Sequence, residues 1–423
     1  MSAPTGPTRL LDGAGSGGVV GLDAHLARWG ALPRVTSKVL LEAVDQSGLR
    51  GHGGAWFPVG TKWRAVAHGG RSRPVVVANG AEGEPASGKD RFLLHRTPHL
   101  VLDGAAVAAA AVGASRVVVH VTARTVADVE RALAERAHRG VDTCAFDVVT
   151  APDRFLSGQE SAAVNTVNGR NPGIPSFVRL RTVRDQGVAG RPTLVQNVET
   201  LAHAALIARF GPQWFRSVGT HESPGTVLAT VTGLWDAPRI VEVPLGATLG
   251  HALGISPDQA RGIQAVLLGG YGGGWLPTAT ALSMPFTEES ARGHGSSIGA
   301  GVVLLLPTGV CPIAEAARVV RYMEGEGAGQ CGPCVNGLDV LATSLEHLAY
   351  RPRSLRGGVA ALPTLCGLVE GRGACHHPDG VARFVRTAVQ VFADHAALHV
   401  SRGPCQTTRP FLPVPSYPVG ASR

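Results

Sequence analysis

The chain has 423 residues, 44% hydrophobic and 17% charged, with 56 Gly, 29 Pro and a formal charge of +8. That length exceeds one ordinary core and implies two or three domains, and the composition excludes a disordered or fibrous chain. The charge admits acidic partners, but no Lys/Arg run or aromatic-basic stripe is present, which argues against nucleic acid.

Residues 1–33 are rich in Gly and Pro and read as a flexible N-terminal segment. "MSAPTGPTRLLDGAGSGG" has no charged start followed by an apolar run, so no export signal is expected. Neither "VLDGAAVAAAAVGA" nor "IGAGVVLLLP" reaches the roughly 18 apolar residues of a membrane span. The expectation is a cytoplasmic chain with no direct membrane span, whose seven cysteines are thiols or metal ligands rather than disulfides.

Over 34–220 strands alternate with helices. "RPVVVAN", "RVVVHVT" and "CAFDVVT" are β-branched runs, while "PHLVLDGAAVAAAAVGA" and "ADVERALAERAHRG" have helical character. This alternation predicts an α/β layer with a mainly parallel sheet, which takes ligands at the carboxyl ends of its strands. Over 221–301 the texture changes to short strands, "TVLATVTG", "RIVEVPLG" and "IQAVLLGGYGGGWLP", a compact β-rich module. From 302 to 400 helical periodicity returns in "IAEAARVVRYMEGE", "GLDVLATSLEHLA" and "GVARFVRTAVQVFADHAALH", predicting a helical bundle. Residues 401–423 read as a Pro-rich tail.

Within the α/β part, "SGLRGHGGAWFPVGTKW" gathers Gly51, Gly53 and Gly54 ahead of Lys62. Glycines let backbone N–H groups approach a phosphate, and the lysine adds charge; a plain glycine-rich turn is the alternative. "VVVANGAEGEPASGKDR" places Asn79, Glu82 and Glu84 just past a strand. "FLSGQES" puts Gly158 and Glu160 at a helix start, where an acidic group also suits the helix dipole. Asn197 in "RPTLVQNVETLAHAALI" begins another helix, where it can serve as an N-cap.

Together these stretches and "GQCGPC" occur in an order that resembles the flavin-bearing, NADH-oxidising subunit of respiratory complex I, over roughly residues 40 to 390. The resemblance implies a Rossmann-like FMN domain, a ubiquitin-like β-grasp module (SLBB) and an α-helical domain holding a 4Fe-4S cluster. It also implies that Gly51, Gly53, Gly54, Lys62, Asn79, Gly158 and Asn197 line FMN, while Phe57, Glu84 and Glu160 face a nicotinamide dinucleotide. Electrons from NAD(P)H would leave the cluster singly, to an acidic ferredoxin-like carrier or a membrane reductase subunit. A ferredoxin-linked subunit that binds no NADH, and a scaffold that keeps only the architecture, are the alternatives.

The family pattern is altered at several positions. Ala81 and Gln159 stand where acids are expected, Ala65 where an aromatic is expected, and Arg179 near the place of a lysine. Trp56 is the candidate to replace the missing stacking surface. A less negative pocket would suit a 2′-phosphate or exclude pyridine nucleotides.

The family's cluster motif is Cys-x2-Cys-x2-Cys plus a distant fourth cysteine. Here Ala328 occupies the first position, leaving Cys331 and Cys334. Cys311, Cys375 and Cys366 are the candidates to complete the set, the preferred four being Cys311, Cys331, Cys334 and Cys375, with Cys366 as the substitute. Structural zinc, with His376 or His377 as a fourth ligand, is the rival for these sulfurs. Cys144 and Cys405 are expected to be bystanders.

Overall fold

The computed structural model describes residues 8–14, 17–69, 72–177, 182–355, 357–406 and 409–415. Arg179 lies outside the described residues. The first layer is a four-stranded sheet of β1 (Val75–Gly80), β2 (Arg116–Thr122), β3 (Ala145–Ala151) and β4 (Thr193–Asn197), in the order β3-β2-β1-β4 and parallel throughout. Helices α1 (Leu22–Trp29), α2 (Ser37–Ser47), α3 (Val59–Ala67), α4 (Lys89–Arg96), α5 (Pro98–Val112), α6 (Ala123–Arg139), α7 (Glu160–Val167) and α8 (Val198–Phe210) surround it.

The central strands are continuous valine runs because both their faces are covered. Val76 and Ala78 join the core beneath α5 and α8, and Val75 and Val77 join a smaller cluster with Ala163 and Val164 of α7. The strand β4 is not apparent from sequence, because its five residues are too few to display a period. It supplies the feature that matters most for a site. The order in which strands are added reverses between β1 and β4, and at that switch point Asn79 and Asn197 of these parallel strands are register partners.

The second layer is a five-stranded mixed sheet of β5 (Thr226–Thr232), β6 (Arg239–Pro244), β7 (Ile263–Leu268), β8 (Gly274–Pro277) and β9 (Val302–Pro307), ordered β6-β5-β9-β7-β8. The short helices α9 (Pro212–Arg216), α10 (Leu249–Ala252), α11 (Pro257–Arg261), α12 (Thr278–Ser283) and α13 (Glu288–Gly293) lead into it or link its strands. The β-rich module expected to end at 301 therefore extends through "VVLLLP", which forms its central strand rather than the start of the helical part. A six-residue apolar run is equally compatible with a buried helix turn, so the strand was hidden.

The third layer holds α14 (Pro312–Gly325), α15 (Leu338–Tyr350), α16 (Leu362–Val369), α17 (His377–Val391) and α18 (Ala393–Arg402). One face of the second sheet, including Leu267, Trp275 and Leu304, shares its core with these helices. The periodic run over 380–399 divides into two helices at Phe392, whose backbone leaves the helical region and whose ring packs 5.0 Å from that of Trp275.

The lead-in expected to be flexible is pinned where it is described. The backbone N–H groups of Arg9, Leu10 and Leu11 donate to the buried Glu242 carboxylate, and Leu10 and Trp29 are buried. Part of the C-terminal tail is held similarly, through Phe411 and Leu412 N–H groups on Glu315.

Asp103 on α5 gathers the helical layer around itself. His25 of α1 lies 2.7 Å away, Arg136 of α6 2.8 Å, and Arg209 of α8 is also bonded to it. Burial alone would raise its pKa; the His25 hydrogen bond and the two guanidinium charges overcome this and hold the carboxyl well below its usual range. Asp103→Ala leaves Arg209 without a carboxylate partner and Arg136 with Asp142 alone, and a loss of about 3 kcal/mol in denaturant unfolding is expected. The same depressed pKa makes this stabilisation full above the ordinary aspartate range and lost only in strong acid.

Candidate functional site

The carboxyl ends of β1 and β4 collect most of the residues singled out at the α/β switch point. Asn79 Nδ2 donates to the Gly158 carbonyl at 2.8 Å, and Asn197 caps α8 by accepting from Glu199 and Thr200 N–H groups. Asn197 also donates to Asp90 Oδ2 at 2.6 Å. A Cβ on Gly53 would sit 3.1 Å from that of Asn197, so the glycine loop lies directly against β4. Gly54 has φ +108° with open space where a side chain would be, a backbone that glycine adopts freely. Gly51 is tied to Phe57 through its N–H.

Lys62 of α3 donates to the Val195 carbonyl at 2.7 Å and pairs with Glu160 at 2.8 Å. It brings a cation to β4, two residues before Asn197, and both Lys62 and Glu160 keep solvent access. Gln159, neutral where an acid was expected, performs the cap of α7 through Ser161 and Ala162 N–H groups. Ala81 is buried, and a Cβ on Gly158 would meet its carbonyl at 2.6 Å. The loops bearing these two changes are in backbone contact. A glycine cradle, two switch-point asparagines and a lysine suit a phosphorylated ring compound such as FMN.

Two expected residues behave otherwise. Trp56 is not available for stacking: its ring is buried in the core of the second sheet, its indole N–H donates to the Gly299 carbonyl, and its φ is +54°. Phe57 beside it is 51% exposed instead. Glu82 turns inward to cap α4, accepting from Asp90 and Arg91 N–H groups.

Glu84 is half-buried at the junction of the layers, accepting from Tyr271 N–H at 2.9 Å. Desolvation pushes its carboxyl up to about 7, against the Tyr271 and Ala86 N–H groups and aided by Glu82.

Beneath the site, Lys89 Nζ lies 2.7 Å from Asp90 and 2.8 Å from Glu199, and His52 is 2.9 Å from Glu199. Burial would raise Glu199, but Lys89 first and then His52 hold it below its usual range. The Lys89 ammonium leaves no room in charge for a metal among His52, Glu199 and His203. Glu199 also accepts from Leu228 N–H, tying α8 to the second sheet. Sequence reading missed this network; its only signal was the "KDR" triplet, which looks like an ordinary helix start.

The cysteines divide into two places. Cys334 sits in a π-helical turn, Pro333–Gly337, a form concentrated at functional sites. Burial pushes its thiol up to about 11, opposed by the backbone N–H groups of Gly329 and Ala328; Cys331 and Cys375 are close enough to raise it further. Sulfur-directed N–H groups are what a ligated thiolate needs. Cys366 is fully buried on α16, which leans on the same turn: a Cβ on Gly337 would lie 2.6 Å from Val369. Its thiol too is pushed up to about 11 by burial, with Arg386 and Glu370 as its charged neighbours. Cys331, Cys334 and Cys375 thus neighbour one another at this turn, and Cys366 lies on the helix packed against it.

Cys311 is not among them. It caps the N-terminus of α14, and the cysteine motif follows the other end of that 14-residue helix, about 21 Å away at 1.5 Å per residue. Its neighbours are His395, His399 and Cys405, the last of which was expected to be a bystander. His377 is occupied differently from expectation, with Nε2 bonded to the Met323 carbonyl, and His376 is exposed beside Asp379.

A hydrogen bond joins the two sites. Glu326, which opens the cysteine motif, accepts from Phe155 N–H at 2.7 Å, and Phe155 begins the loop that ends in Gly158. The Phe155 ring lies 5.6 Å from that of His377.

The chain is similar to known proteins. The family model described as the Nuo51 FMN-binding domain matches residues 44–205, and that of the NADH-ubiquinone oxidoreductase-F iron-sulfur binding region matches residues 314–399. The NADH-quinone oxidoreductase F 2 subunit of Rhizobium meliloti (strain 1021) is 31% identical over 396 residues, covering 89% of this chain and 92% of that protein. The NADH-quinone oxidoreductase F subunit of Mycobacterium tuberculosis (strain ATCC 25618 / H37Rv) is 31% identical over 389 residues, covering 86% and 85%. Among solved structures, an NAD+-reducing NiFe hydrogenase in the air-oxidised state superposes with a TM-score of 0.78 at 27% identity, covering 96% of this chain and 69% of the matching one. At this identity and coverage, the chain belongs to the family of NADH-quinone oxidoreductase F subunits.

Proposed function

We propose that the chain is an oxidoreductase that binds FMN at the carboxyl ends of β1 and β4, takes a hydride there from NADH, and sends electrons singly through one 4Fe-4S cluster to a partner protein. The observation that carries this reading is the pairing of Asn79 with Asn197 at the switch point, with Gly53 and Lys62 beside them. When bound, FMN supplies the conversion of a two-electron hydride into single electrons. Gly51, Gly53, Gly54 and Lys62 would hold its phosphate and sugar, and Asn79, Gly158 and Asn197 would fix its ring. Phe57, Glu84 and Glu160 would face the dinucleotide.

The second sheet fits the β-grasp (SLBB) reading: counted from its own first strand its order is 2-1-5-3-4, with β5 and β9 parallel. For the cluster, Cys331, Cys334, Cys375 and Cys366 are the ligands that the turn supports. Val335, in the turn of Cys334, and Leu368, two residues past Cys366, are 57% and 55% exposed. Apolar groups laid open beside an electron exit suit the docking of a partner subunit or carrier protein. Among the described residues no helix is long and apolar enough to cross a membrane.

Anaerobically purified protein is expected to carry FMN and four irons per chain, and to bleach in the flavin band with NADH; absence of both flavin and iron defeats the proposal. Lys62→Ala removes a charge-assisted contact, and FMN affinity is expected to fall about 10- to 100-fold, by fluorescence titration. Unchanged affinity would remove Lys62 from the phosphate site.

Glu84 gives a pH signature. Its folded pKa of about 7 exceeds the ordinary 4.5, so the folded chain holds the extra proton between those values and stability falls as pH rises through that window. Glu84→Gln keeps the acceptor for Tyr271 without the charge. Its melting temperature relative to the parent is expected to rise between about pH 5 and 7 and to level off above that. A pH-independent difference would contradict the assignment.

A further inference from the structure

We infer that the chain holds a second, separate metal site: a closed structural zinc bound by Cys311, His395, His399 and Cys405. The four ligand atoms come from three places, the N-cap of α14, one face of α18 and the loop after α18. Cys311 Sγ lies 3.6 Å from His395 Nε2 and 3.4 Å from His399 Nε2. Cys405 Sγ lies 3.4 Å from each of the same two nitrogens. All four atoms are within 4.8 Å of one another.

These dimensions are those of a single tetrahedral ion. Zinc bonds of about 2.3 Å to sulfur and 2.0–2.1 Å to nitrogen, opened to the tetrahedral angle, give sulfur–nitrogen edges of roughly 3.5 Å. A two-iron cluster with the same ligands would spread the sulfurs from the nitrogens, and no such spread exists here. The donor set of two thiolates and two imidazoles is a zinc set.

Hydrogen bonding alone does not account for the arrangement. His399 Nδ1 lies 3.0 Å from the Leu348 carbonyl, so in the neutral ring it carries the proton and leaves Nε2 bare. The Cys311 thiol, the Cys405 thiol and His395 Nε2 then offer at most three protons to four close sulfur–nitrogen contacts. An ion at the centre satisfies all four at once. The Leu348 contact is also the outer partner that a metal-bound imidazole uses to fix its orientation. Cys311 and His399 are buried, and the Ala314 N–H leans on the Cys311 sulfur.

With four protein ligands the site has no open position, so its role is structural. It would fasten the chain beyond α18 to the residue that joins β9 to α14, locking the helical bundle onto the second sheet. Division of the 380–399 run at Phe392 turns α18 so that His395 and His399, four residues apart and on one face, look toward Cys311.

The test uses the full chain, purified anaerobically with its iron and without added chelator. Elemental analysis is expected to find one zinc per chain beside the iron, and zinc-edge X-ray absorption to find two sulfur and two nitrogen neighbours at the distances above. Cys405→Ser, at an exposed position, and His395→Ala are each expected to lose the zinc while iron and flavin remain. Cobalt(II) reconstitution of the zinc-stripped parent should give the visible bands of a tetrahedral thiolate site, absent in both variants. Iron-replete protein without zinc overturns the proposal, as does zinc retained by Cys405→Ser. A shell of four sulfurs overturns it too, because it would put the zinc at the Cys331–Cys334 turn.

Discussion

The hydrogen bond from Phe155 N–H to the Glu326 carboxylate is the constraint on which the redox reading depends. A flavin loop and a cysteine motif that belong to different layers can exchange electrons only if something fixes their separation. Glu326 does so within a few residues of both Gly158 and Cys331, and a charge-assisted bond of this type is stronger than a neutral one. Around it, the Phe155 and His377 rings close the seam between the loop and α17.

The second sheet completes that seam from the other side. Glu84 reaches from the β1 loop to Tyr271 N–H, and Arg383 of α17 donates to the Gly272 carbonyl at 3.0 Å. The tip at 269–273 is therefore held by the α/β layer and by the helical bundle together. Backbone closeness makes this tip demanding: a Cβ on Gly270 would strike Glu84, and one on Gly380 would sit 3.0 Å from Gly272. Burial in this close junction is what pushes the Glu84 carboxyl above its ordinary range.

Local motifs make the α/β site legible from the residues alone. Asn79, Gly158, Lys62 and Asn197 each sit at a strand end or helix start, where sequence neighbours dictate position, and the structure brings all four to one switch point. The cysteines are less legible because sequence distance misleads across a helix. Cys311 is 20 residues from Cys331, yet α14 runs straight between them and keeps them apart. His395 and His399 carry a usable signal, a four-residue spacing followed six residues later by Cys405, but the amphipathic pattern of the surrounding run conceals it. Trp56 departs from expectation for another reason: its positive φ turns the ring into the second sheet, a backbone choice that residue type does not announce. The strand β9 is hidden by its uniform apolarity, which alternation cannot diagnose when both faces are buried.

The most direct test of the central claim is rapid mixing of the anaerobic protein with NADH, following the flavin band by absorption and the iron–sulfur centre by electron paramagnetic resonance of the frozen product. The account predicts that flavin bleaching is followed, within a single mixing experiment and with no partner added, by one reduced 4Fe-4S cluster per chain. Flavin that bleaches fully while the cluster stays oxidised would contradict it.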